Sequence, residues 1–130
     1  MFTFAALLLA AASNGAPCHG ADPVIASVTS RLAGDNGMLN RYAVHVVVTN
    51  RGQRRQPPND LQSVDIIENG QKVGEKGVPP LAPGQSYAFD HVYQRSSEAE
   101  DGSTHFTFRL VQDENGDACA TTDNEFRLRV

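Results

Sequence analysis

The chain has no tryptophan, only two cysteines and two methionines, and aromatic residues make up just 7% of it. The missing tryptophan excludes an antibody-type domain, whose intersheet disulfide packs on a buried indole. Basic residues are also few and dispersed. With 11 Lys and Arg against 15 Asp and Glu, and a net charge of -4, there is no basic stripe to neutralise phosphates, so DNA and RNA are excluded as partners. No sustained helical period occurs, and no apolar run is long enough to cross a bilayer as a helix. Short catalytic signatures are absent too. There is no Gly-x-Ser-x-Gly elbow, no Cys-x-x-Cys, and no His-x-His or His-x-x-x-His spacing among His19, His45, His91 and His105.

What is present suits one globular domain. At 130 residues, with 40% hydrophobic and 20% charged residues, the chain holds enough apolar surface for one core and has no room for two. Met1 to Ala12 is uncharged and carries Phe2, Phe4 and Leu7 to Leu9 among alanines. This is the apolar core of a signal peptide, although no Lys or Arg precedes it. Residues 1–16 are therefore read as a leader cleaved between residues 13 and 17, and residues 17–130 as the mature domain. The expected location is secreted or periplasmic, without stable membrane insertion once the leader is removed. The alternative makes the apolar run a buried first element of the mature fold.

An exported chain meets an oxidising compartment, where Cys18 and Cys119 are expected to form a disulfide. That bridge would close a loop of about a hundred residues, worth about 4 to 5 kcal/mol on the chain-entropy argument. A lipid anchor on Cys18 is disfavoured by Pro17, since such sites need small residues just before the cysteine.

The mature chain alternates between strand-like runs and turn signals. Strands are predicted over Pro23 to Thr29, Tyr42 to Asn50, Ser63 to Glu68, Gln71 to Val78, Ser86 to Gln94, Thr104 to Gln112 and Glu125 to Val130. In the second, Val44, Val46 and Val48 fall on one face by the period of two. Asn69-Gly70 predicts a two-residue hairpin turn, and Leu81-Ala82-Pro83-Gly84 a buried Leu leading into a type II turn. Asn50 and Gly52 suit a strand exit, the Asn bonding nearby backbone and the Gly at positive φ. Arg51 to Asp60 and Ser96 to Ser103 are read as solvated loops. Seven short strands in a chain of this length predict an all-β, seven-stranded immunoglobulin-like or fibronectin type III-like β-sandwich. Its inner layer should contain Val44, Val46, Val48, Val64, Ile66, Phe89, Phe106, Phe108, Leu110, Phe126 and Leu128.

The order of Val46-Val47-Val48-Thr49-Asn50-Arg51-Gly52, Asn69-Gly70-Gln71-Lys72-Val73-Gly74, Leu81-Ala82-Pro83-Gly84-Gln85-Ser86 and the stretch from Asp113 to Phe126 resembles CARDB, the cell-adhesion-related domain of bacteria. The resemblance spans about Ala21 to Val130. It implies an immunoglobulin-like or fibronectin-like sandwich, used as an accessory module of surface or secreted proteins, with no shared catalytic residues. Within these 130 residues the motif set occurs once, and the cysteine pair is not part of the pattern.

The acidic stretch holding Asp113, Asn115 and Asp117 offers weak calcium ligands. It fails the EF-hand spacing, because Ala118 stands where Gly is needed and Asn124 where a bidentate Glu is needed. An acidic hairpin loop is the preferred reading. The carboxylates of Glu98, Glu100, Asp101, Asp113 and Glu114 lie in polar runs that would not raise one of their pKa values for acid catalysis. The sequence therefore predicts a non-catalytic binding or adhesion module without cofactor. Its partner would be a protein or glycan of the cell envelope or exterior. The alternatives are an assembly partner in an envelope complex that pairs at a strand edge, and an enzyme inhibitor acting through loops.

Overall fold

The computed structural model describes residues 19–96, 103–112 and 125–130. Within them run β1 (Pro23–Asp35), β2 (Leu39–Asn50), β3 (Gln62–Glu68), β4 (Gln71–Val78), β5 (Ser86–Ser96), β6 (His105–Gln112) and β7 (Glu125–Arg129). All neighbouring strands pair antiparallel. They form a three-stranded sheet in the order β1-β2-β5 and a four-stranded sheet in the order β4-β3-β6-β7. The chain changes sheet between β2 and β3, between β4 and β5, and between β5 and β6. This is the three-plus-four arrangement of an immunoglobulin-like, fibronectin type III-like sandwich.

The turns follow their chemistry. Asn69 and Gly70 both take positive φ, 48° and 86°, the pair of left-handed residues that a type I′ turn requires. At the β4–β5 crossing Gly84 has φ 78°, and Gln85 N donates to Ala82 O at 2.9 Å, closing the expected type II turn around Pro83.

β1 runs six residues past its expected end at Thr29, and β2 begins at Leu39, three residues before its expected start at Tyr42. The hairpin between them is made by Asp35-Asn36-Gly37. Asn36 Oδ1 accepts from Met38 N at 3.0 Å and Leu39 N at 2.8 Å, and Gly37 sits at φ 86°. Most of this arm is exposed, so no apolar alternation marks it in the sequence. Its signature was the Asn36-Gly37 pair.

The core between the sheets is built by Val44, Val46, Val48, Val64, Ile66, Phe89, Phe106, Phe108 and Leu110, as their alternation requires, together with Ile25, Val28, Val78, Leu81 and Tyr93. Phe126 and Leu128 pack on this core but stay partly exposed. They belong to β7, which among the described residues is an edge strand with a neighbour on one side only. Ring contacts carry the core to one end: Tyr42 stacks on Tyr93 at 5.2 Å, and Tyr93 meets Phe106 edge-on at 4.8 Å. Above them the Arg95 guanidinium lies 5.0 Å over the Tyr42 ring and donates to Val130 O at 3.2 Å, tying β5 to the end of β7.

Candidate functional site

The connection from β2 to β3 is where the structure departs most from the sequence expectation. Arg51 to Asp60 reads as a solvated loop, yet Gly52, Gln56 and Asp60 are buried within it. Two amide side chains organise it. Asn50, at the end of β2, is wholly buried. Its Oδ1 accepts from Asp22 N and from Gly52 N, both at 2.9 Å. Its Nδ2 donates to Arg54 O and to Leu81 O, again at 2.9 Å. One side chain thus fastens the start of the domain, two points of the loop and the β4–β5 crossing, with all four of its bonding positions used.

Gln56 is the second anchor, 1% exposed. It exchanges hydrogen bonds with Gln62, Nε2 to Oε1 in both directions at 2.9 and 2.8 Å. It also donates to Asp60 Oδ2 at 3.2 Å and accepts from Leu81 N at 2.9 Å, while Gln56 N donates to Leu81 O at 3.0 Å. Buried amides are tolerated only when satisfied in this way.

Gly52 is needed here for close approach rather than for conformation. It is not among the positive-φ glycines, contrary to the expectation from its place at the strand exit. A Cβ built on it would overlap Gly20 O and come within 2.6 Å of Asp22 N, because residues 20–22 run directly beside it. There Arg51 N donates to Asp22 O at 2.9 Å and Gln53 N to Gly20 O at 3.0 Å.

The fixed backbone turns the remaining side chains outward. Arg51, Gln53, Arg54 and Arg55 are all exposed, with Gln53 Oε1 3.2 Å from His19 Nδ1. Arg51 and Arg55 make no ion pair among the described residues. The result is a rigid loop that shows guanidinium groups to solvent, a shape suited to planar acidic groups.

Several charges on the two sheet faces are paired. An open groove of about 400 Å³ on the outer face of the four-stranded sheet is lined in part by Asp65, Lys72, Arg109, Glu125 and Arg127. Glu125 takes Arg109 and Arg127, each at 3.1 Å, and Lys72 reaches Glu75 at 2.8 Å and Asp65 at 3.2 Å. The hydrogen bond to Glu75, then that to Asp65, raises the Lys72 pKa. On the opposite sheet Asp90 joins His45 at 2.7 Å and Arg31 at 3.6 Å. Such exposed pairs are screened by solvent and add little to stability.

The four histidines stay apart. His19 lies by the loop and His45 on the outer face of β2, while His105 N donates to Asn69 Oδ1 at 3.0 Å. His91 is half-buried on the inner side of β5, edge-on to Phe106 at 5.7 Å. Burial lowers its pKa below the usual 6.5, opposed in part by the charge of Glu68. Among the described residues no three His, Cys, Asp or Glu side chains converge as a metal site. Cys18, Cys119 and the calcium candidates Asp113, Asn115 and Asp117 lie outside the described residues, as do Glu98, Glu100, Asp101 and Glu114.

No family model matches the chain, and no curated protein matches it. Solved structures do. The CARDB domain of a Pyrococcus furiosus protein, crystallised in complex with di-metal ions, is similar over 88% of this chain and 90% of that one, with 17% identity and a TM-score of 0.59. A Bordetella pertussis protein assigned to ApaA matches 88% of this chain and 92% of its own, with 18% identity and a TM-score of 0.47. The sandwich therefore has the fold of a CARDB domain, the fold that the turn motifs and their order imply.

Proposed function

We propose that the chain is an exported, non-catalytic binding module whose recognition surface is the Arg51–Asp60 loop. The observation that carries this reading is the buried Asn50 and Gln56 pair, which holds an arginine-bearing loop in one conformation. A loop fixed before binding loses less conformational entropy when a partner docks. The partner is a protein or glycan of the cell envelope or exterior that carries acidic groups. The CARDB-like fold supports an adhesive module, as an analogy of fold. Turnover of an ester, glycoside, peptide or phosphate substrate, removed by one substitution that leaves the fold intact, would overturn the non-catalytic reading.

Alginate, a carboxylated glycan, and polyglutamate, an acidic polypeptide, separate the two partner classes, with uncharged dextran as reference. Wild-type protein is expected to bind one of the two acidic probes above dextran. The triple substitution Arg51→Ala, Arg54→Ala, Arg55→Ala should weaken that binding by about tenfold or more, from the loss of charge-assisted hydrogen bonds, with Tm unchanged. Equal binding by both proteins, or none by wild type, would remove the loop from the reading.

Export rests on the apolar leader and the cysteine pair. Non-reducing peptide mapping of the mature protein should recover the Cys18 and Cys119 peptides joined. Two freely alkylated thiols would overturn the disulfide.

A further inference from the structure

An apolar feature adjoins the arginine-bearing loop. Leu61 directly follows the buried Asp60 and is 70% exposed. It lines an open groove of about 290 Å³ on the outer face of the four-stranded sheet, together with Val111 of β6, which is 45% exposed. Gly77, Ser63 and Val111 stand in one row across β4, β3 and β6, and all three line the groove. A Cβ built on Gly77 would meet nothing within 4 Å, so small residues leave room beside the apolar ones. The carboxylate lining the groove, Glu75, is held by Lys72 at 2.8 Å.

Loop and groove meet at one buried contact. Gln56 and Gln62 exchange side-chain hydrogen bonds. Arg55 precedes the first and Leu61 the second, and both are exposed, so a guanidinium and an aliphatic side chain flank the same fixed point. An apolar seat beside arginines is the arrangement that protein interfaces use, where a large side chain fills a pocket and charged groups surround it.

We propose that the partner is a polypeptide that sets a bulky apolar side chain in this groove and acidic side chains on Arg51, Arg54 and Arg55. This rests on the Arg51–Asp60 loop being the recognition surface and narrows what that surface takes. A polypeptide carries both kinds of group within a few residues. A carboxylated glycan has no side chain to fill the groove, and its hydroxyls would lose water against Leu61 and Val111 without gaining partners there.

Peptides of six residues, glutamate throughout except for one phenylalanine placed at each position in turn, can be compared with hexaglutamate by fluorescence anisotropy on the full chain. The best of them should bind about tenfold tighter than hexaglutamate, the gain from burying much of one large side chain. Leu61→Ser with Val111→Ser should remove that gain while leaving hexaglutamate binding and Tm unchanged, because both positions are exposed. Arg51→Ala, Arg54→Ala, Arg55→Ala together should weaken all the peptides alike. Equal binding of every peptide, a gain that survives the two serines, or binding of alginate without any peptide would overturn the polypeptide partner and leave the loop as the site. Self-association abolished by the two serines would give the groove to a second copy and overturn it too. No binding of any acidic probe would remove the loop itself, and the polypeptide partner with it.

Discussion

Val46→Asp is expected to abolish the folded state. Val46 has no exposed surface and stands in the middle strand of its sheet, opposite Val28 on one side and Phe89 on the other. An unpaired carboxylate there costs several kcal/mol even after relaxation, against a total stability of about 5 to 15 kcal/mol for a domain of this kind. The group can lessen that cost only by taking a proton, so what fold survives should be recovered in mild acid. Circular dichroism and thermal melting at neutral pH should show a chain without a cooperative transition. Val111→Asp is the matched control: it lies on β6 beside the buried Leu110 but is 45% exposed, and should shift stability by less than about 0.5 kcal/mol. A soluble Val46→Asp protein with unchanged melting would mean that β2 faces the other way.

Period-two alternation exposes only those parts of a sandwich whose faces differ in polarity. β2, β3 and β6 bury one face and solvate the other, so Val44 to Val48, Val64 with Ile66, and Phe106 to Leu110 could be placed from sequence. Turns were legible where a single residue type answers a backbone demand, as at Asn69-Gly70 and Pro83-Gly84. The β1–β2 arm was not. Both of its faces are largely solvated, leaving no contrast, and its one local signal, the Asn36-Gly37 pair, was passed over. β7 shows the opposite limit. Phe126 and Leu128 alternate cleanly, but alternation cannot distinguish an edge strand from a central one, and burial depends on that difference.

The candidate site was hidden for a different reason. Gln, Asn and Asp in a run with arginine and proline look like a solvated connection, because their usual partner is water. Gln56 is buried because its partners Gln62, Asp60 and the backbone of Leu81 come to it from other parts of the chain. Asn50 was correctly read as bonding nearby backbone, at Gly52, but half of its work is done at Asp22 and Leu81, 28 and 31 residues away. Gly52 was identified as a special position for the wrong reason, since the segment running past it from Gly20 to Asp22, ahead of β1, has no signature of its own.

Asn50→Ala should therefore cost about 2 to 4 kcal/mol. Two donors and two acceptors each lose one hydrogen bond at once. Asp22 N and Arg54 O lie where water can reach on modest relaxation, being part-buried; the buried Leu81 O keeps its bond from Gln56 N, and the buried Gly52 N is left without its partner. Each buried group left unsatisfied costs about 1 to 3 kcal/mol. The isosteric Asn50→Asp separates this hydrogen-bond loss from loss of shape. It keeps the two bonds from Asp22 N and Gly52 N, but turns a carboxylate oxygen toward the carbonyls of Arg54 and Leu81, which only a protonated acid can approach favourably. Its folded pKa is then raised above the unfolded value of about 3.9. The stabilising protonated form is fully present below that unfolded value and is lost as pH rises through the folded pKa, so Asn50→Asp should approach wild-type stability in acid and fall away toward neutrality. Relative to wild type, Asn50→Ala should show no such slope. Melting the three proteins from pH 4 to 8 checks this, and an Asn50→Ala protein as stable as wild type would show that the four bonds do not hold the loop. Where Asn50→Ala still folds, its Arg51, Arg54 and Arg55 are unchanged but no longer fixed. Weaker binding of the acidic probe by that variant would then report the contribution of the anchored backbone separately from that of the charges it carries.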